Sequence, residues 1–166
     1  MLIVSDTTPL HYLILIGSEH ILPDLFETVI VPAAVVSEML HPNAPPKIQQ
    51  WVKNMPVWVI SRISSNANKE ISTGLGAGET EAISIALELN ADALLLDDRR
   101  GIREATLRGI SVITTIGVLE LASSKGLVDF SAAINKLKNT SFYMPPSDVL
   151  SEILDRNRLY NQPFMN

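Results

Sequence analysis

Short runs that are apolar throughout alternate, along the chain, with segments whose apolar positions recur at helical spacing. Residues 2–5 read as a buried strand and residues 28–31 as a second, β-branched strand ended by Pro32. Residues 57–60, 93–96 and 111–114 read as three more. Between them the spacing predicts helices over 10–16, 33–40, 47–54, 79–89, 99–108 and 116–125. Thr8 offers a hydroxyl N-cap ahead of Pro9 at a first helical position, and Gly17 supplies a stop. Residues 41–46 read as a Pro-rich turn, and the Ser/Asn-rich stretch 62–76 as a flexible connection. Strands without polar alternation, separated by helices, predict an α/β protein with a parallel sheet covered on both faces. There is no internal repeat. After about Thr140 the pattern changes to Pro145-Pro146, then Val149, Leu150, Ile153 and Leu154 at helical spacing. This predicts a body over residues 1–140 and a helical tail over 141–166 that is not an independent domain.

Composition narrows the class. A 46% apolar fraction and a mean hydropathy of +0.21 fit a well-buried globular chain of 166 residues. No apolar run is long enough to span a bilayer, and no basic stretch precedes the apolar residues at the N-terminus. No membrane association and a cytoplasmic location are therefore expected. With no cysteine, disulfides, thiolate nucleophiles and cysteine-ligated zinc drop out. A net charge of −5 argues against coating nucleic acid by bulk electrostatics. It leaves a nuclease open, because bound metal would neutralise several acids and the basic residues would act locally.

Five acids sit at the ends of apolar segments, where a carboxylate is costly unless something binds it: Asp6, Glu38, Glu79, Asp97 and Asp98. In an open parallel sheet, ligands bind beyond the carboxyl ends of the strands, near the point where strand order reverses. Asp6 and the Asp97-Asp98 pair both occupy such ends. Asp6 competes as an Asx turn or a cap, but a Thr8 cap leaves it without that task. One of Asp97 and Asp98 serves as the cap of the next helix. That leaves the other free, and alternation at a strand end points the two in different directions. On a helical wheel Glu79 aligns with Ala82, Ile83, Ala86 and Leu87, whereas Glu81, Ser84 and Glu88 share the polar face. The helix dipole accounts for an acid in the first turn but not for its azimuth, and it is expected to hold the Glu79 pKa down. Glu38 lies beside a stripe of Val35, Val36, Met39 and Leu40, and on its own reads as a solvated glutamate.

Other features carry less. Gly76-Ala77-Gly78 is a poor phosphate loop: no strand precedes it, a third glycine is missing, and Glu79 would repel phosphate. His11, His20 and His41 lack metal-ligand spacing, and Trp51 and Trp58 read as packing. Arg99, Arg100, Arg103 and Arg108 form a basic helix beside Asp98. It reads equally as a set of phosphate contacts or as a solvated face with an Arg100–Glu104 pair.

The acids recur in a recognisable order: Ser5-Asp6-Thr7, Val36-Ser37-Glu38-Met39, Gly78-Glu79-Thr80-Glu81-Ala82-Ile83 and Leu96-Asp97-Asp98-Arg99. Over roughly its first three-quarters the chain resembles the PIN-domain family. Within that family it is most similar to a subgroup with Gly-Glu-x-Glu-Ala, Asp-Asp-Arg-Arg-Gly and a later Thr-x-Gly-Val-Leu, here residues 115–119. Two positions depart from the family pattern. Glu79 stands where most members have Asp, and Leu96 replaces a hydroxyl residue two positions before the fourth acid.

The resemblance implies a three-layer α/β/α fold with a central parallel sheet and metal-dependent hydrolysis of single-stranded RNA. For many members it also implies a toxin's role, with a small antitoxin protein as partner and a homodimer as the assembly. Carried onto this chain, Asp6, Glu79 and Asp98 ligate Mg²⁺ or Mn²⁺, with Glu38 and Asp97 in or beside the ligand set. An all-oxygen set favours these ions over zinc. Asp6, Glu38, Glu79 and Asp98 are then the catalytic acids, and Thr7, Arg99, Arg100 and Arg103 the substrate contacts. The cation supplies an activated water and stabilises the leaving oxygen, so no protein nucleophile is required. Two other readings stand beside this one. A haloacid-dehalogenase-like phosphatase shares the first Asp and the late Asp-Asp pair but needs a second Asp where Thr8 stands. A catalytically weak or inactive PIN-like protein-binding module is compatible with the acidic charge, Leu96 and the amphipathic tail.

Overall fold

In a computed structural model that describes residues 1–65, 71 and 74–160, all five expected strands join one parallel sheet. They are β1 (Leu2–Ser5), β2 (Thr28–Pro32), β3 (Val59–Arg62), β4 (Ala93–Leu95) and β5 (Val112–Ile113), in the order β3-β2-β1-β4-β5. Between β1 and β2 lie α1 (Thr7–Ile16), a 3₁₀ turn (Glu19–Ile21) and α2 (Leu22–Phe26). α3 (Ala33–Met39) and α4 (Pro46–Lys53) precede β3, α5 (Ala77–Leu89) precedes β4, and α6 (Arg99–Leu107) precedes β5. The architecture is α/β/α, as the alternation of fully apolar strands with helices implies.

Pairing is in register at Ile3↔Val29, Val4↔Ile30, Ile3↔Ala93 and Val4↔Leu94. Because side chains alternate along each strand, Val4, Ile30 and Leu94 share one face. There they form a continuous core with Ala82, Ile83, Ile85 and Ala86 of α5 and Ala105 of α6. Ile3 and Val29 on the other face are also fully buried. Burying both faces is what requires strands without a polar side.

Residues Met1–Thr115 form one compact unit, and the chain from Ile116 onward forms a second. The second unit holds most of α7 (Thr115–Ser124), then α8 (Phe130–Lys138) and α9 (Ser147–Tyr160). Within it, Arg156 of α9 pairs with Glu120 of α7 at 2.8 Å, and the Ser123 hydroxyl donates to Asn157 Oδ1 at 3.3 Å. The expected tail helix is α9. No helix among the described residues is long and apolar enough to cross a membrane.

Several local expectations are corrected. The first helix starts at Thr7, so Asp6 and not Thr8 holds the N-cap position, although its side chain makes no capping bond. β3 begins at Val59, where pairing with Val29 starts, and Val57 is fully exposed. On α3 only Val35 and Met39 of the expected stripe are buried, and Leu40 lies beyond the helix end, exposed. The short helical pieces at residues 19–26 and α8 were not legible in the periodicity. Of the expected connection 62–76, residues 66–70 and 72–73 lie outside the described residues.

Leu96 is fully buried, and its δ carbons face Gly101 of α6. A Cβ added at Gly101 would stand 2.9 Å from Leu96 Cδ2. The Leu96 side chain is therefore a core element that sets how closely α6 approaches β4. Gly101→Ala is expected to destabilise the protein by about 1–3 kcal/mol through overpacking, read as a lower midpoint in urea unfolding.

Candidate active site

The sheet runs outward from β1 through β2 to β3 on one side and through β4 to β5 on the other. The order reverses between β1 and β4, and the region beyond their carboxyl ends is where open parallel sheets bind ligands. The two ends are joined there directly: the Asp6 N–H donates to the Leu95 carbonyl at 3.0 Å. Asp6 thus leaves β1 beside the point where Asp97 and Asp98 leave β4.

The Asp6 side chain is 4% exposed. Burial pushes its carboxyl up to about 7, with added repulsion from Glu79 and Glu38. The backbone N–H groups of Thr7 and Thr8 oppose the shift.

Glu38, near the end of α3, is exposed but held at both oxygens. The Thr7 hydroxyl donates to Oε2, and the Gly78 N–H donates to Oε1 at 3.0 Å. Glycine at 78 permits this approach, because a Cβ there would lie 2.9 Å from each carboxylate oxygen. The buried stripe of α3 does not reveal Glu38. It comes to the site because α3 packs along α5.

Glu79 stands in the first turn of α5 and reaches back to accept the Gly76 N–H at 3.0 Å. Its pKa is raised, contrary to the expectation from the helix dipole. Burial is the largest cause, and the charges of Asp98 and Glu38 add to it against the Gly76 bond. Asp98 caps α6, where its Oδ1 accepts the N–H groups of Arg100 at 2.8 Å and Gly101 at 3.1 Å.

Asp97 turns elsewhere, as strand alternation implies. Its Oδ1 accepts the Thr115 N–H at 2.9 Å and its Oδ2 the Thr115 hydroxyl at 2.6 Å. Burial raises its pKa and these two bonds oppose the rise. Asp6, Glu38, Glu79 and Asp98 are brought together and sense one another's charge, whereas Asp97 is committed at both oxygens to the start of α7.

Among the described residues, no three acids or histidines form a ready-made metal site. The donor chemistry of the acidic group nonetheless fits a hard divalent ion. It offers carboxylate oxygens, and burial first and neighbouring like charge second push Asp6 and Glu79 upward, a cost that a cation would relieve. Asp98 Oδ2 and Glu79 Oε1 carry no hydrogen bond among the described residues.

Arg99, Arg100 and Arg103 are exposed on α6 and carry no ion pair among the described residues. The pair on that helix is Arg108–Glu104 at 2.9 Å, not Arg100–Glu104. The glycine-loop amides are taken by the protein's own carboxylates: Gly76 N–H by Glu79, Gly78 N–H by Glu38. Trp51 and Trp58 pack with ring centroids 6.0 Å apart. His11 lies against Tyr12, and burial lowers its pKa.

The polar face of α5 is partly covered. Ser84 is buried, and Glu81 accepts the N–H groups of Ala34 at 2.7 Å and Ser64 at 3.1 Å. Glu88 accepts from Ser64 Oγ and from Ser65 N–H at 3.2 Å. The partners of these acids are backbone amides and serine hydroxyls far away in sequence, which leave no pattern in it.

A family model described as a PIN domain matches residues 2–158. No curated protein matches the sequence. Among solved structures, the chain is similar to a PilT N-terminus domain protein from the hyperthermophilic archaeon Sulfolobus solfataricus P2. The TM-score is 0.51 at 18% identity, covering 87% of this chain and 100% of that one.

The Asp6 shift has a direct consequence for stability. A carboxyl whose pKa is higher folded than unfolded binds its proton more tightly in the native state. Its favourable contribution is present at low pH and is lost as pH rises from about 4 to about 7. In EDTA, Asp6→Asn is therefore expected to match wild type near pH 4 and to exceed it at pH 8 by on the order of a few kcal/mol. Urea unfolding across pH measures this, and a mutant less stable than wild type at pH 8 would contradict it.

Proposed function

The chain belongs to the PIN-domain family, whose members are generally nucleases, and on that premise we propose that it is a metal-dependent endoribonuclease acting on single-stranded RNA. The observation that supports this most is the convergence of Asp6, Glu38, Glu79 and Asp98 beyond the carboxyl ends of β1 and β4. Among the described residues, the strong metal donors of this group are carboxylates. Family members typically use divalent metals, and Mg²⁺ or Mn²⁺ suits this set.

Asp6, Glu79 and Asp98 would hold the ion, and Glu38 completes the acidic ring. Asp97 serves by tying Thr115 to the end of β4. When bound, the cation supplies an activated water and a counter-charge for the leaving oxygen. The protein's own residues position the substrate. Exposed Arg99, Arg100 and Arg103 take backbone phosphates beside Asp98, and Thr7 keeps Glu38 oriented through its hydroxyl. The buried surroundings of Asp6 limit competing water and hold its oxygens in place. A toxin's role with a small antitoxin partner, a homodimeric state and a cytoplasmic setting complete the proposal from the family likeness. This reading replaces the haloacid-dehalogenase-like one.

A binding-only PIN domain is the second reading, favoured by Leu96, whose apolar side chain is buried where the family pattern has a hydroxyl. An RNA-cleavage assay separates the two. Wild type with Mn²⁺ is expected to cut single-stranded RNA, EDTA to stop it, and Asp6→Asn to abolish cutting while remaining folded by circular dichroism. Cleavage that survives EDTA or the Asp6→Asn change would overturn the assignment. A pure wild-type protein that binds RNA or protein without cutting would favour the second reading.

A further inference from the structure

We infer that Glu81 is the positioning residue that sets Glu38 for the acidic site, acting as a cap in trans on the helix that carries it; this rests on the proposed nuclease reading only for its catalytic consequence. α3 follows Pro32, whose side chain cannot cap, so the first amides of the helix lack a local acceptor. Ala34 is the second residue of α3, and its N–H is accepted by Glu81 Oε2 at 2.7 Å, a short charge-assisted bond. The other carboxylate oxygen accepts the Ser64 N–H just past β3 at 3.1 Å. One side chain of α5 therefore ties down the start of α3 and the exit of β3.

The geometry extends directly to Glu38. α3 is only seven residues long, so its placement depends on what holds its two ends. At its start it is held by Glu81. Near its other end Glu38 accepts the Gly78 N–H at 3.0 Å, and Gly78 is three residues before Glu81 on the same helix, α5. The two bonds together clamp α3 along α5. The clearance at Gly78 is small, since a single added Cβ would come within 2.9 Å of the Glu38 oxygens. A modest shift of α3 thus moves Glu38 off both Gly78 and Thr7. Glu81 also carries a negative charge at the positive end of α3, where it is favoured.

Glu88 provides the internal control. It lies further along the same helix, on the same side, and it bonds Ser64 and Ser65 at the exit of β3. Glu81→Gln keeps the volume and retains one acceptor oxygen, while its amide group faces an N–H donor and loses one of the two bonds.

The test compares Glu81→Gln with Glu88→Gln in the full chain. In metal-free ¹H–¹⁵N spectra, Glu81→Gln is expected to move the Ala34 amide and, through Glu38, the Gly78 amide upfield. Glu88→Gln should leave Gly78 where it is in wild type. With Mn²⁺ and single-stranded RNA, Glu81→Gln is expected to lower kcat by about 10–100-fold with little change in KM. An unmoved Gly78 amide in Glu81→Gln, or the same shift in Glu88→Gln, overturns the inference whether or not the enzyme is active. A Gly78 shift specific to Glu81→Gln in a protein that never cuts RNA would uphold the positioning role and sink the nuclease reading instead.

Discussion

The structure depends on the junction of β1 with β4. The two strands pair in parallel where sheet order reverses, and the 3.0 Å bond from Asp6 N–H to the Leu95 carbonyl closes that ladder at its carboxyl end. Every acid of the site takes its place from that junction. Asp6 is the first residue beyond β1, and Asp98 follows three residues after Leu95. Glu79 and Glu38 arrive on α5 and α3, which pack against each other. Without pairing at Ile3↔Ala93 and Val4↔Leu94, the acids would belong to unrelated parts of the chain.

Collecting carboxylates in one place carries an electrostatic cost, and the protein offsets it in a consistent way. Each exposed or half-buried acid accepts amides at a helix start: Asp98 from α6, Glu79 from the Gly76 position before α5, Glu38 from Gly78. These bonds give the crowded carboxylate oxygens donors that the site itself supplies. At Asp6 and Glu79 burial nonetheless dominates and raises the pKa, to about 7 at Asp6. A cation beside these two acids would relieve part of that cost. Asp97, by contrast, is fully used in holding the first residue of α7, so adjacent acids of the same type take separate tasks.

How much of this was legible in the sequence follows from where each partner lies. β1 and the termination of α1 at Gly17 were readable, because apolar runs and a left-handed C-cap glycine are local signals. The positions of Asp6 and Asp98 at strand ends were readable for the same reason. The cap of α1 falls at Asp6 and not at Thr8, although Thr8 and Pro9 form an attractive local motif, because the helix begins at Thr7 directly after the strand-end residue Asp6. The azimuth of Glu79 set it apart from an ordinary surface glutamate, but its pKa direction depended on burial and on Asp98 and Glu38, which only the fold brings near. Glu81 and Glu88 looked solvated because a helical wheel records which face a residue occupies, not what backbone is later laid against it. Gly78 was visible only as half of a poor phosphate motif. Its use, clearance for Glu38, is a tertiary fact.

The most direct test of the shared-ion claim is a crystal soaked in Mn²⁺ and measured for anomalous scattering. Density among the Asp6, Glu79 and Asp98 carboxylates, absent in Asp6→Asn, is the expected result. Manganese bound elsewhere, or undiminished at this position in Asp6→Asn, would contradict it.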